Sequence, residues 1–339
     1  LLLSVCCSKE VISYDSKQFI KGKFRNTVKR HKNGLKNTLN ILWDVAFNKA
    51  KDSVPKDKNS IPVINLETKD LENMENNSVL RLGHSSLVFK LEDDLYLTDP
   101  VFSNRASPFT WFGPKRFHQS PLKAENLPNI KAVIISHNHY DHLDSECISV
   151  IKDKVERFYV PLGVSTYLIE FGVEKEKIVE LDWWQSIEEN GITFTATPSQ
   201  HFSGRSMFDF DKSLWCSWVI KTPQVNLFFS GDSGYFEGFK EIGDKYGPFD
   251  MTFVEAGAYN KRWMDVHMMP EQTVQAHEDL QGKVLFPIHN GTFDLSLHSW
   301  YEPFDRIYNL SINKDISSVF PKMGQSIEIK VYYKTNKWW

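Results

Sequence analysis

His137-Asn-His139-Tyr-Asp141-His142 sets three imidazoles and a carboxylate within six residues. In an extended segment alternate side chains point the same way, so His137 and His139 can grip one cation. The chain then turns, and Asp141 and His142 can face a second. Imidazole and carboxylate donors suit Zn²⁺ best, with Fe or Mn as alternatives. Five further candidates share one feature, which is that each follows an apolar run that reads as a strand. Asp99 ends Leu95–Thr98, His201 closes 192–200, Asp232 closes 225–231, His289 closes 284–288, and His84 follows 79–83. Strand ends along one rim of a sheet can bring ligands together from distant sequence. The role of His84 stays open between supporting a ligand and packing in a turn. His298 is left outside the site.

The elements that must position these residues are legible as periodicity. Short apolar runs closed by Gly, Pro, Asp or His predict strands at 79–82, 86–91, 94–98, 130–135, 157–160, 191–196, 214–220, 225–230, 251–254 and 283–288. Helices are expected at 144–154, 163–171, 235–244, 270–280 and 299–309. Strands first in pairs and then interleaved with helices suggest sheets covered by helices on their outer faces. Residues 1–75 read as an extension that wraps or precedes a catalytic domain spanning 76–339. The extension is Lys/Asn-rich, with one helical stripe at Leu35, Leu39, Leu42 and Ala46, and 52–77 reads as mostly irregular.

The 339 residues carry 40 Lys+Arg and 43 Asp+Glu, but the near-balance is an average over two unlike regions. Residues 1–60 hold 13 basic and 5 acidic side chains, and Lys17–Lys36 holds eight basic and no acidic ones. The remaining body is acidic, which disfavours a nucleic-acid partner. No apolar run approaches the roughly 20 residues of a membrane-spanning helix. Four cysteines cannot make a disulfide scaffold, and Cys147 and Cys216, set among apolar neighbours, read as buried thiols.

The sequence resembles the metallo-β-lactamase-fold hydrolases, and within them the N-acylphosphatidylethanolamine-hydrolysing phospholipase D group. The residues that carry the resemblance are Leu82-Gly-His84-Ser, Leu97-Thr-Asp99-Pro-Val-Phe, Arg105-Ala-Ser-Pro and Gly113-Pro-Lys-Arg-Phe. Further along they are Ser136-His-Asn-His-Tyr-Asp-His-Leu-Asp144, Leu181-Asp-Trp-Trp184, Phe229-Ser-Gly-Asp-Ser-Gly234 and Pro287-Ile-His-Asn-Gly-Thr-Phe293, with a weaker echo at Phe24-Arg25-Asn26. It implies an α/β fold, the αββα sandwich, with an N-terminal extension. It also implies one metal on His137, His139 and His201, a second on Asp141, His142 and His289, and Asp232 between them. Asp99 would sit beside the site, taking a proton or orienting a ligand histidine. His267 would hydrogen-bond a phosphate or protonate a leaving group. Two dications offset by two carboxylates leave a positive site that favours hydroxide and an anionic substrate.

The implied activity is hydrolysis of a phosphodiester in an N-acylated phosphatidylethanolamine-type phospholipid. The alternative is a metal-dependent lactonase or phosphoester hydrolase acting on a soluble metabolite. A lipid-binding protein that had lost turnover would be expected to lack a ligand, and none is missing. Aromatic content of 14% supplies groups such as Phe109-Thr-Trp-Phe112, Trp183-Trp184 and Trp263, suited to an acyl groove or to peripheral membrane contact. The opening Leu1–Ser8 resembles the end of a bacterial lipoprotein signal with Cys6 as the acylated residue, which implies membrane association. An ordinary signal remnant or a fragment edge, with a cytoplasmic protein, is the other reading.

Overall fold

The structure, a computed structural model, describes residues 13–30, 40–41, 43–44, 47–331 and 337–339. Cys6 and the stripe Leu35, Leu39, Leu42 and Ala46 lie outside the described residues. Two sheets face each other. The first comprises β3 (Ser78–Gly83), β4 (Ser86–Leu91), β5 (Asp94–Thr98), β6 (Ile130–Ile134), β7 (Val155–Pro161), β8 (Ile178–Leu181) and β15 (Ser326–Glu328), in the order β15-β3-β4-β5-β6-β7-β8. The second comprises β9 (Ser186–Glu189), β10 (Ile192–Thr197), β11 (Ser217–Lys221), β12 (Asn226–Phe229), β13 (Met251–Glu255) and β14 (Leu285–Ile288), in the order β14-β13-β12-β11-β10-β9. Each sheet changes from antiparallel to parallel pairing, at β5–β6 in one and at β12–β13 in the other.

Strand side chains alternate between two hydrophobic layers, so the central strands are apolar on both faces. Phe89 and Leu91 of β4, Ala132 and Ile134 of β6, and Leu227 and Phe229 of β12 fill the layer between the sheets. Their neighbours Val88 and Val133 turn outward, beneath Cys147, Ile148 and Ile151 of α2 (Ser145–Ile151) and Leu168 of α3 (Ser165–Glu170). On the far side, Phe228 and Val254 pack under three helices: α4 (Gly238–Tyr246), α5 (Pro270–Asp279) and α6 (Glu302–Asn313). This is the expected αββα arrangement. Cys147 and Cys216 are buried free thiols.

Where the structure departs from sequence expectation, the reasons are local. The stretch expected to be irregular contains α1 (Thr68–Glu72), set by a reciprocal capping box in which Glu67 N–H donates to Asp70 at 2.8 Å. β8 and β9 were not anticipated, because they are short, half-exposed and carry glutamates instead of an apolar run. In the N-terminal segment, β1 (Phe19–Ile20) and β2 (Lys23–Phe24) form a small hairpin. Phe24 is fully buried in the inter-sheet layer, packed on Tyr14 and Phe19, so this segment is part of the body.

Two histidines away from the strand-end rim give the fold a pH dependence. Burial, reinforced by Arg116, lowers the His118 pKa to about 3, and burial lowers that of His277 to about 4. Unfolded, both take up a proton near pH 6.5. Their contribution to stability is therefore complete above that value and is lost as pH falls towards 3–4. The thermal midpoint should drop between pH 7 and 4.5, and His277→Gln, which hardly changes side-chain size, should flatten part of that slope.

Candidate metal centre

Every site residue leaves the end of a strand. Extended chain past β6 carries His137 and His139, and the turn after it carries Asp141 and His142. His201 follows β10, Asp232 follows β12, and His289 follows β14 directly. Three residues here hold left-handed backbone, namely His84 (φ 53°), Asp99 (φ 34°) and His289 (φ 61°). Such conformations cost about 1–3 kcal/mol each and persist only where neighbours fix them. The fixings are visible: His84 N–H donates to Thr292 Oγ1 at 2.7 Å, and His289 N–H to the His84 carbonyl at 3.1 Å. Gly231, which precedes Asp232, has φ 55°, and a Cβ there would lie 2.4 Å from that of Ser136. Only glycine lets the two sheets approach at this point.

Ligand atoms within 4.8 Å of one another form two four-residue groups, His137, His139, His201 and Asp232, and His84, Asp141, His142 and His289, and a three-residue group of Asp232, His267 and His289 that overlaps them. Asp232 reaches both four-residue groups. Its Oδ2 lies 3.8 Å from His137 Nε2, 3.7 Å from His201 Nε2 and 3.1 Å from His289 Nε2, while Oδ1 lies 3.0 Å from His142 Nε2. Within the second group, Asp141 Oδ2 stands 3.0, 3.6 and 3.3 Å from the Nε2 atoms of His84, His142 and His289. The structure thus brings together all seven residues in the two predicted sets and adds His84.

These groups suit cations better than they suit one another. His142 Nε2, His289 Nε2 and Asp232 Oδ1 are buried and make no hydrogen bond. Burial opposes charge on every member, yet the balance differs by position. Asp232 and Asp141 stay ionised well below the usual carboxylate range, because His142 and neighbouring imidazoles outweigh the burial cost. Burial likewise opposes charging His289, but Asp232 and Asp141 outweigh it and raise its pKa to about 10. His137 and His201 are pushed far down by burial and adjacent imidazoles, and His139 is lowered to about 4. His137, His139 and His201 are thus neutral nitrogen donors beside ionised carboxylates, while His142 and His289 would each release a proton on taking up a divalent ion.

Asp99 lies fully buried beneath the cluster. Its carboxylate accepts from Ser136 N–H at 2.7 Å and Ser136 Oγ at 2.6 Å, and Oδ2 lies 2.7 Å from His142 Nδ1. Of the two roles expected for it, this geometry fits orienting a ligand histidine. His267 stands at the cavity floor, with its ring centroid 5.2 Å from His201 and 5.4 Å from His289. Its Nδ1 lies 3.0 Å from Glu255 Oε1, leaving Nε2 for the cavity. Burial opposes charging His267, but Glu255 outweighs it and raises the pKa. His298 stacks on Tyr259 at 4.3 Å.

Sequence reading gave no role to three residues that hold this machinery, of which only Asn26 stood in a noted motif, Phe24-Arg25-Asn26. Glu255, the last residue of β13, is fully buried and accepts from Ser233 N–H at 2.6 Å and Met268 N–H at 3.1 Å. A lone glutamate ending an apolar strand gives no motif, although a charge in such a run was the available signal. Arg81 is fully buried in β3 and donates to Asn290 Oδ1 at 2.5 Å, bracing the chain directly after His289. Asn26 Nδ2 donates to the His201 carbonyl at 2.7 Å, and His201 N–H returns a bond to Asn26 Oδ1 at 3.1 Å.

Above the two groups opens a cavity of about 990 Å³. Phe202, Phe210, Trp263 and Leu295 give it apolar surface, His139, Asp141, Asp232, His267 and His289 reach it from the centre, and Lys23, Arg25 and Arg30 line it from the N-terminal segment. The other aromatic candidates do not line it: Trp183 is core and Trp184 stacks on Tyr246.

Comparison with known proteins agrees with this geometry. Residues 95–290 match the model of the beta-lactamase superfamily domain. An uncharacterised Mycobacterium tuberculosis protein is 37% identical over 305 residues, covering 88% of this chain and 80% of its own. A Caenorhabditis elegans N-acyl-phosphatidylethanolamine-hydrolyzing phospholipase D is 32% identical over 307 residues, covering 84% and 86%. Among solved structures, a metallo hydrolase of Ignicoccus hospitalis superposes with a TM-score of 0.57 at 18% identity, covering 74% of this chain and 97% of that one.

Asp232→Asn is expected to leave the fold intact and to lower bound metal per chain, measured by elemental analysis beside near-UV circular dichroism. Asp99→Asn should keep the ligands but weaken metal affinity by about 10–100-fold, measured by competition with a chelating dye.

Proposed function

The chain belongs to the β-lactamase superfamily of metal-dependent hydrolases, and on that premise we propose that it hydrolyses a phosphodiester in an N-acylated phosphatidylethanolamine-type phospholipid, with two zinc ions. The observation that carries the reading is the single carboxylate, Asp232, shared by two N/O donor groups at the floor of a cavity with both apolar and cationic walls. An amphipathic anion fits such a space: a phosphoryl group at the floor, hydrocarbon against Trp263, Leu295 and Phe202. The phospholipase D relative, matched along most of both chains, favours the same substrate class.

Divalent ions held by the two groups would lower the pKa of water and offset charge growing on phosphoryl oxygens. The chain's own residues supply the remainder. Asp99 keeps His142 in one orientation, and Asn26 and Arg81 steady the chain at His201 and beside His289. His267, charged through its contact with Glu255, presents Nε2–H to the cavity. There it can donate a proton to the departing alcohol oxygen, which must gain one as the P–O bond breaks.

Phe109, Trp111 and Phe112 are 50%, 74% and 64% exposed, as the peripheral membrane contact in this proposal requires. No helix among the described residues is long and apolar enough to cross a membrane.

The deciding assay offers N-acylphosphatidylethanolamine, phosphatidylethanolamine and lactones to zinc-loaded protein. Release of phosphatidic acid with N-acylethanolamine is the expected result, and lactone opening alone would replace this reading with that of a soluble-metabolite hydrolase. Glu255→Gln should cut kcat for the lipid and shift the alkaline limb of the pH–rate profile downward, since His267 then loses its proton more easily.

A further inference from the structure

Among the described residues, every lysine and arginine that lines the cavity comes from one short stretch of the N-terminal segment: Lys23, Arg25 and Arg30. The stretch is anchored against the centre by the paired Asn26–His201 bonds, by Trp215 Nε1 donating to Asn26 Oδ1 at 2.8 Å, and by Gln200 Nε2 donating to the Val28 carbonyl at 2.9 Å. Buried Phe24, whose N–H donates to the Asp211 carbonyl at 2.8 Å, fixes its other end. The cations are therefore presented from a held backbone, unlike those of a solvated tail.

Their charges are not equally committed. Arg30 pairs with Asp211 at 2.7 Å and lies over Phe202 at 5.2 Å, while the Phe202 ring packs on His139 at 4.6 Å. A guanidinium thus stands one aromatic ring from the metal-ligand cluster, already neutralised. Lys23 lies over Phe210 at 5.4 Å, and no described carboxylate forms an ion pair with it or with Arg25. Of the other carboxylates lining the cavity, Asp141 and Asp232 belong to the donor groups and Asp265 belongs to the loop that carries His267. The wall retains positive charge that the cluster does not use.

We propose that Arg25 and Lys23 form a binding site for a second anionic group on the substrate, a phosphate or carboxylate separate from the phosphoryl group that is cleaved. This rests on the phosphodiesterase reading above and adds a preference within it: N-acylated phosphatidylethanolamine, with one charge, leaves the site unfilled, and a phosphodiester that carries a second anionic group fills it. An exposed guanidinium–carboxylate hydrogen bond at the rim of an apolar space discriminates charge more than it adds affinity elsewhere, so the site acts on specificity.

The test is calorimetric binding to the zinc-loaded full chain of two phosphinates, which have no ester to cleave. Hexyl(methyl)phosphinate carries one charge, and its analogue with a terminal carboxylate on the hexyl chain carries two. Wild type should bind the dianion about tenfold more tightly, as one charge-assisted bond predicts. Arg25→Glu should abolish or reverse that preference, and Lys29→Ala, a charge loss on the same stretch outside the cavity, should keep it. Equal affinities in wild type, or a preference that survives Arg25→Glu, would overturn the proposal. So would an absent preference combined with loss of binding to phosphatidylglycerol vesicles in Arg25→Glu, because the cations would then read a lipid surface. Failure of wild type to cleave any phosphodiester would end the earlier reading and leave this binding result standing on its own.

Discussion

Asp232 is almost wholly buried between two sets of imidazoles, and much of the fold can be understood from that placement. A buried carboxylate without compensation costs several kcal/mol, so whatever surrounds it must supply positive charge. Without cations His142 and His289 supply it, drawn into their charged forms by the carboxylates themselves. The two sheets contribute unequally to this balance. The first gives His84, Asp99 and the His137–His142 turn, and the second gives His201, Asp232, Glu255 and His289. The cluster is thus a seam, and neither sheet alone contains either of the two four-residue donor groups.

Holding that seam has a conformational cost that appears in the backbone. The left-handed residues His84, Asp99 and His289 all lie on it, and His84 and His289 are joined to each other by a main-chain bond. Behind them sits Arg81, a guanidinium in the core that donates to carbonyl and amide oxygens and lies over the Phe286 and Phe304 rings, its pKa lowered to about 9 by burial. A cation without a carboxylate is an expensive brace. Its position behind the chain that carries His289 accounts for its presence, since it fixes Asn290 from two sides at once.

Legibility from sequence followed the range of the interaction. The His137–His142 turn is local and could be read as two half-sites directly. Strand-end residues could be grouped because apolar runs announce strands, and any acid or histidine that closes such a run stands out. His84 was visible but ambiguous, since a histidine after Gly83 reads equally as a turn. Its placement 3.0 Å from Asp141 depends on how β3 lies against the turn, which no spacing encodes. Glu255 closes the run 251–254 and carried that same signal, but no motif gave it a role. Arg81 is one charge inside an apolar strand, and only its three-dimensional neighbours show why it is tolerated. The basic character of Lys17–Lys36 was plain, but composition could not tell a solvated arm from a cavity wall. For the described part, up to Arg30, Asn26 decides that in space.

The Asn26–His201 contact spans 175 residues of chain. During synthesis Asn26 leaves the ribosome long before its partner exists, and the intervening strands must be laid down before the pair can meet. Contacts that close such large loops are made late, because their entropy is lost before any bond repays it. The order of assembly is then written into the fold: the N-terminal hairpin docks among the last elements, and the His201 side of the centre takes its final shape only when that segment returns to it.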